Sequence, residues 1–419
     1  MKKTSKVITL GCRLNICESE GIKNLLKKKK IINTTVINTC AVTNQAVVNS
    51  KKKIIEAKKR DPNNRILVTG CASQIEPKIF SDMKEVDKII YNKDKNEEDF
   101  YLNNIQNLLK KEKKRVKNFS VSFGRSGTRT RALLQIQQGC NHRCTFCIIP
   151  FGRGNSLSLP LSVILKRVGK LIDLGYKEIT ITGVDLTSYG EDLPGRPSLG
   201  QILKRLIRIE KRLCRIRLSS IDPAELDEDL LELIVSEKKI LPHIHFSMQS
   251  GDNLILKRMK RRHTREKIID ICKNIKRQRS EVHFGADIIV GFPTESEVEF
   301  QKTLDCIEKC NFTNIHAFRF SPKKGTPASR MPQIPERIKI ERMKRLNKIY
   351  SKVKEMQMKK LIGTEKKILF ENTKLSYTDD YFKVRIHNEK DSHSQINGQL
   401  VKVKLKDILG DFFVGEILN

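Results

Sequence analysis

Short apolar runs recur along the first part of the chain: Val7-Ile-Thr-Leu10, Thr35-Val-Ile-Asn38, Ile66-Leu-Val-Thr69 and Lys88-Ile-Ile-Tyr91. Lysine-rich segments of helical spacing separate them, and that alternation predicts a parallel sheet. The first three runs each end at a cysteine, in Gly11-Cys12, Thr39-Cys40 and Gly70-Cys71. Loops after the carboxyl ends of parallel strands share one edge of the sheet, where ligands bind. Cys12, Cys40 and Cys71 can therefore converge on a metal cluster whose irons take thiolate ligands. Taken singly, each would read as packing, because free cysteine is among the most buried residue types. Cys17, inside the helix after Cys12, reads that way.

Lys110 to Lys117 is a charged run, and the Ser- and Gly-containing stretch from Ser120 to Gly127 reads as a linker. From about Arg129 six strand-helix units follow, with strands near 132–137, 178–183, 214–220, 243–248, 282–290 and 314–320. Six units predict a partial (β/α)6 barrel. Directly after its first strand stand Cys140, Cys144 and Cys147, a CxxxCxxC triplet. An iron-sulfur cube takes one cysteine per iron, so three leave one iron open for chemistry. Zinc is the rival, since three cysteines and a histidine make a common structural site; His142 lies inside the loop, an unusual spacing for a fourth ligand. A site after the first strand falls at the barrel's carboxyl-terminal mouth. Cys306 and Cys310, four apart on one helix face, and Cys214 and Cys272 in apolar patterns read as packing.

Pro322, Pro327, Pro332 and Pro335 mark the exit from the barrel. Glu336 to Lys360 reads as a long basic helix, with ten Lys or Arg against three Glu. Short strand patterns at 367–370, 381–386, 400–405 and 412–417 then predict a small β-barrel.

Charge adds a partner class. Lys and Arg number 82 against 48 Asp and Glu, a formal net charge of +34, and polyanions, nucleic acid first, are the expected partners. AT-rich codon usage explains part of the lysine excess, but it favours glutamate equally. The segment from Lys257 to Arg279 carries eleven positive residues, which suit either a solvated helix surface or phosphate contacts. The start is too briefly apolar for a signal peptide, and no run approaches the ~18 apolar residues that span a membrane. A cytoplasmic location follows as the expectation, with eleven cysteines kept reduced.

The motifs together resemble those of the tRNA methylthiotransferases, over essentially the whole chain. They are Thr9-Leu-Gly-Cys-Arg-Leu-Asn15, Asn38-Thr-Cys-Ala-Val-Thr43, Val68-Thr-Gly-Cys71, the CxxxCxxC with Phe146, Gly152-Arg-Gly-Asn-Ser156, His245-Phe-Ser-Met-Gln-Ser-Gly251, Asp287-Ile-Ile-Val-Gly-Phe-Pro293 and Gly325-Thr-Pro-Ala328. One departure is Leu157, where a basic residue is expected. The resemblance implies an α/β chain with a Rossmann-like parallel-sheet N-terminal domain at 1–117 and a linker at 118–128. A radical S-adenosylmethionine barrel at 129–335, a basic helix at 336–360 and a TRAM-like β-barrel at 361–419 would follow. It implies two 4Fe-4S clusters, one held by Cys140, Cys144 and Cys147 with S-adenosylmethionine on its free iron, the other by Cys12, Cys40 and Cys71. Cleavage of that cofactor would give a radical that takes hydrogen from adenine C2.

Strand ends around the mouth supply cofactor-contact candidates, namely Gly183, Asp185, Ser219, Ser220, Gln249 and Asp287, each with a capping or turn role as the alternative. Arg153 would touch substrate or bind a helix terminus. Within the family, the wording around Cys12 and Cys40 is most similar to the branch acting on N6-threonylcarbamoyladenosine at position 37 of tRNA. The other branches act on isopentenyladenosine or on an aspartate of a ribosomal protein. The implied partners are a tRNA anticodon stem-loop and an electron-donor protein, around a monomer. Residues 365–419 balance nine positive against nine negative charges, so RNA held there would need stacking, by Tyr381 or Phe382, and shape.

Overall fold

The computed structural model describes residues 4–102, 130–371, 375–386 and 396–418. The expected linker at 118–128 and the unit boundaries at 117 and 129 lie outside the described residues.

The first unit alternates β1 (Lys6–Thr9), α1 (Arg13–Lys28), β2 (Thr34–Thr39), α2 (Asn44–Arg60), β3 (Arg65–Gly70), α3 (Cys71–Ile75), α4 (Pro77–Ser81) and β4 (Lys88–Ile89). All four strands are parallel, in the order β1-β2-β3-β4. Both faces of the sheet are covered, which is why its strands read as continuous apolar runs rather than alternations. Ile22 and Leu26 of α1 pack with Val36 and Leu67; Ile54 of α2 packs with Ile37, Ile66 and Val68. Thr43 caps α2 by accepting from the Ala46 amide.

The second unit runs β5 (Arg131–Gln135), β6 (Gln137–Gln138), α5 (Ile149–Arg153), β7 (Leu157–Ser158), α6 (Leu161–Asp173), β8 (Glu178–Thr182), α7 (Leu199–Ile209), β9 (Arg215–Leu218) and β10 (Ser220–Ile221). It continues through α8 (Glu228–Ser236), β11 (His243–Gln249), α9 (Asn253–Arg258), α10 (Arg265–Gln278), β12 (His283–Val290), α11 (Glu297–Cys310) and β13 (Phe312–Arg319). The parallel wall is β5-β8-β9 followed by β10-β11-β12-β13, broken only at Ser219. Neither β5 nor β13 pairs with the other, so the barrel is partial, as expected. Alternation along its strands sorts the two faces. Ala132, Leu134, Ile179, Ile181, Ile216, Ile244, Phe246, Ala286 and Ile288 join the helices in one large core. The intervening positions are polar, among them Arg131, Glu178, Arg217, His243, His245 and Asp287, and they give the inner wall its chemistry.

After α12 (Glu336–Lys359) come β14 (Glu365–Leu369), β15 (Ser376–Thr378), β16 (Lys383–Ile386), β17 (Leu400–Leu409) and β18 (Phe412–Ile417). They close into a five-stranded barrel in the order β14-β15-β16-β18-β17, one strand more than the sequence suggested. This barrel docks on the amino-terminal ends of the inner-wall strands. Tyr381 stacks on His243 with ring centroids 4.7 Å apart and on Tyr377 at 4.9 Å. The Arg217 guanidinium lies 4.8 Å from its ring, and its hydroxyl accepts from Arg13 at 3.1 Å. Phe382 is buried inside the small barrel. The expectation that these two rings stack on RNA is therefore corrected: Phe382 is core, and Tyr381 plugs the polar foot of the larger barrel.

Glu178 anchors that foot. Its fully buried carboxylate lies 3.1 Å from Arg131 Nε, 3.0 Å from Arg215 Nη2 and 2.8 Å from Arg217 Nε. Burial alone would raise its pKa, but the three guanidiniums outweigh burial and hold it at about 2. Because the folded value lies below the ~4.3 of a free glutamate, its stabilisation is complete above about pH 4.5 and is lost as pH falls toward the folded value. The urea midpoint is expected to drop between about pH 4.5 and 2.5, and to drop less in Glu178→Gln. Equal pH profiles for the two proteins would contradict this role.

Candidate cluster and cofactor site

Each cysteine of the first trio sits where a strand gives way to a loop or helix. Cys12 precedes α1 and is exposed, Cys40 follows β2, and Cys71 opens α3. A short chain of hydrogen bonds gathers the three loops. Asn15 Nδ2 donates to Leu10 O at 2.7 Å and to Thr39 O at 2.9 Å; Thr39 Oγ1 donates to Thr69 O at 2.7 Å. Gly11 has φ +93°, and a Cβ there would lie 2.7 Å from Cys40 Sγ; only glycine accepts both that conformation and that approach. The trio is close enough for mutual repulsion of thiolates. Burial first, then Cys12 and Cys71, pushes the Cys40 thiol up to about 11, and burial raises Cys71 as well.

The second trio occupies the loop between β6 and α5. The Cys147 amide donates to Cys144 O at 3.1 Å and the Cys140 amide to Gly154 O at 3.1 Å. Thr145 ties the loop to α9, its amide to Met259 O at 3.1 Å and its hydroxyl to Arg258 O at 2.8 Å. Burial, with Cys144 beside it, pushes the Cys147 thiol up to about 12. Thiolates in such a place require the positive charge of metal ions, and metal binding displaces their protons. Within each set the thiols stand near enough to oppose one another's ionisation, and three thiolates would leave one iron of a cubic cluster open. His142, considered as a fourth ligand for zinc, has its Nε2 at 2.9 Å from Asp185 Oδ2 and 3.1 Å from Glu225 Oε1. Hydrogen bonds to those two carboxylates hold the ring as an imidazolium, with its pKa raised to about 10.

A seam joins the two sites. Ile148 and Ile149, immediately after Cys147, pack into the same core as Cys71 and Ala72. Arg153, at the end of α5, is buried. Its Nη1 lies 2.7 Å from Glu18 Oε1 and its Nη2 2.7 Å from Asn15 Oδ1. Lys95 Nζ meets the same Glu18 oxygen at 2.5 Å, and Asn92 Nδ2 donates to Gly152 O at 2.7 Å. Burial opposes ionisation of Glu18, but Arg153 and Lys95 prevail and hold its carboxyl at about 2. Arg153 is thus an ion-pair tie between the two cysteine-bearing units, a partner that the sequence did not announce.

The cofactor-contact candidates divide into two groups. Gly183 abuts Gln137, whose Oε1 accepts from the amides of Val184 and Asp185 at 2.8 and 2.9 Å. Asp185 Oδ2 accepts from Cys140 Sγ at 3.3 Å and from Ser188 at 2.8 Å. The Ser219 hydroxyl is buried without a partner among the described residues. Gln249 ends β11 with φ +69°, a conformation unusual outside glycine and often found at functional sites. Ser220 and Asp287 stand apart: Ser220 donates to Asp287 at 3.1 Å, and Asp287 is also bonded to two histidines of the inner wall.

Sequence reading missed Glu18, Lys95, Glu225, His245 and His316. Only the last two carried a signal, as polar positions alternating with Ile244, Phe246, Ile315 and Ala317. Cys272, Cys306 and Cys310 are buried in the large core, as expected. Cys214 is exposed, against expectation, because it lies in the turn before β9 rather than on the strand. The eleven cations of 257–279 are partly committed: Arg261 and Arg262 pair with Asp222, Arg265 with Asp305, and Arg279 with carbonyls of 234, 237 and 240. Lys267 and Lys276 of the same stretch donate to the carbonyls of Ala224 and Val282.

Comparison with known proteins adds names to this geometry. Residues 134–307 match the Radical SAM superfamily, and residues 4–91 match the group described as Uncharacterized protein family UPF0004. A threonylcarbamoyladenosine tRNA methylthiotransferase, MtaB, of Rickettsia prowazekii (strain Madrid E) is 43% identical over 96% of this chain and 95% of its own. Its namesake from Aquifex aeolicus (strain VF5) is 36% identical over 94% of this chain and 98% of its own. A tRNA-2-methylthio-N(6)-dimethylallyladenosine synthase of Clostridium botulinum is 32% identical over 98% and 92%. Among solved structures, the radical S-adenosylmethionine methyltransferase TsrM from Kitasatospora setae superposes with a TM-score of 0.55 at 12% identity, over 78% of this chain and 75% of that one. That last likeness is one of fold alone.

Proposed function

The chain belongs to the tRNA methylthiotransferase family, in its threonylcarbamoyladenosine branch, and from that premise we propose how its residues share the work. It is an enzyme that adds a methylthio group to C2 of N6-threonylcarbamoyladenosine at position 37 of tRNA, using S-adenosylmethionine and a 4Fe-4S cluster. We assign that cluster to Cys140, Cys144 and Cys147, and a second cluster to Cys12, Cys40 and Cys71. The observation that carries this reading is the shared core in which Cys71 packs with Ile148 and Ile149, next to Cys147, so that the units bearing the two trios adjoin; each trio is short of the four thiolates that close a cube.

When bound, the clusters and S-adenosylmethionine supply the radical chemistry and the sulfur; the protein supplies position, charge and exclusion of water. Gly183, Asp185, Ser219 and Gln249 are assigned to the cofactor, because they stand at strand ends of the same barrel mouth and Asp185 reaches Cys140. Asp185 is the group suited to the cofactor's ammonium, since its carboxylate stands beside Cys140. Ser220 and Asp287 act from the wall beside it. Arg153 places a buried positive charge next to Cys71 and holds the two units in register.

The unit boundaries proposed are 1–117, 118–128, 129–335, 336–360 and 361–419, with a monomer in the cytoplasm served by an electron-donor protein. None of the helices among the described residues is long and apolar enough to cross a membrane. Mass spectrometry of tRNA nucleosides from cells lacking the gene tests the function. Loss of the methylthio form of threonylcarbamoyladenosine is the expected result. Loss instead of methylthio-isopentenyladenosine, or unchanged tRNA with a lighter ribosomal protein, would overturn it in favour of another branch.

A further inference from the structure

The inner wall of the barrel carries an array that neither cysteine trio uses. Asp287 on β12 and His316 on β13 are register partners, so their side chains stand side by side. Asp287 Oδ1 lies 3.2 Å from His316 Nδ1 and 3.1 Å from His245 Nε2, and its Oδ2 accepts from Ser220 Oγ at 3.1 Å. The two imidazole rings are 4.7 Å apart. Room for the His245 ring depends on Gly285, where a Cβ would come within 2.5 Å of His245 Nδ1. Burial opposes the charge on Asp287, but bonds from His245 and His316 outweigh it and hold the carboxyl well below the usual range. An ionised carboxylate only accepts, so the nitrogens facing it carry hydrogen.

His316 therefore has one nitrogen fixed and one free. Its side chain is 51% exposed, and Nε2 has no partner among the described residues. When the ring is protonated, Nε2 donates to an anion; when it is neutral, Nε2 accepts from a hydroxyl. Phe318, two positions along the same strand face, is also exposed. The neighbouring cations are committed elsewhere: Arg131, Arg215 and Arg217 to Glu178, and Arg261 to Asp222 and to Ser247. His316 is the polar tip the wall leaves open.

We propose that His316 is a specificity-determining residue that binds the threonine end of the modified adenosine, with Asp287 and His245 fixing its ring. This rests on the proposed substrate. A threonylcarbamoyl group ends in a carboxylate and a hydroxyl, whereas the dimethylallyl group of the other tRNA branch is hydrocarbon. A fixed polar tip rewards the first and is left unpaired by the second, the arrangement that discriminates best between such analogues.

The test uses the anaerobically reconstituted full chain and two anticodon stem-loop RNAs that differ only in the threonylcarbamoyl group on adenosine 37. Affinity for each RNA is read by fluorescence anisotropy, with product formation and metal content measured alongside. The wild type is expected to prefer the threonylcarbamoyl RNA, and His316→Phe to lose about 10- to 100-fold of that preference, as for one hydrogen bond to a charged group. Affinity for the plain RNA should be little changed, and His316→Gln, which keeps a polar tip, should recover part of the preference. A structural defect would weaken both RNAs alike and would sink the proposal. Full preference retained in His316→Phe would also overturn it, as would one equivalent of a non-cluster metal present in wild type and absent from the variant, since two histidines and a carboxylate also suit a divalent ion. No turnover of threonylcarbamoyl RNA by the wild type would instead count against the substrate itself.

Discussion

Cys71→Ala is expected to stop methylthiolation while reductive cleavage of S-adenosylmethionine continues. Cys71 lies in the first trio, packed with Ile148 and Ile149 but outside the Cys140–Cys147 loop, so its substitution takes one thiol from the proposed first site and leaves the three of the loop in place. A direct ligand should cost more than the roughly 10- to 100-fold typical of an outer partner of a metal site. Cys144→Ala should abolish both reactions. Quantifying 5′-deoxyadenosine and methylthio product in the same anaerobic reactions separates the two variants. Product formed by Cys71→Ala at near wild-type yield would show that the first trio does not deliver the sulfur.

Arg153→Leu is expected to destabilise the protein by about 3–5 kcal/mol, the cost of breaking a buried ion pair by removing one partner. Glu18, Lys95 and Arg153 have side chains only 1%, 1% and 2% exposed, so water cannot replace what the substitution removes. Lys95 stays to compensate Glu18, which sets the expectation at the lower end of that range. Arg153→Lys should recover little, since a point charge cannot bond Glu18 and Asn15 together as the guanidinium fork does. Urea unfolding of the two variants checks both statements; a change below about 1 kcal/mol, the level of exposed pairs, would mean that the seam is held by apolar packing alone.

The parts legible in the sequence were those set by local pattern. A strand followed directly by cysteine places that thiol at the sheet edge whatever else surrounds it, so the positions of Cys12, Cys40 and Cys71 could be grouped before any coordinates. The six barrel strands were legible because outward apolar residues alternate with polar ones, and that same alternation already held His245 and His316. What stayed hidden depends on contacts between distant segments. Glu18 and Arg153 are 135 positions apart, and nothing in either neighbourhood announces the partner. Tyr381 reads as the start of a strand pattern and a ring for stacking on RNA until the foot of the barrel, with Arg217 and His243, is seen to need a cover. Cys214 was misplaced by a single residue at a strand end, where boundaries are least sharply encoded.

Iron and acid-labile sulfide per chain, measured on the anaerobically reconstituted protein beside a variant lacking Cys12, Cys40 and Cys71, probe the two-site account most directly. About eight irons in the wild type and about four in the variant are expected, at four per cubic cluster. Four irons in both proteins, or zinc in place of iron, would contradict it.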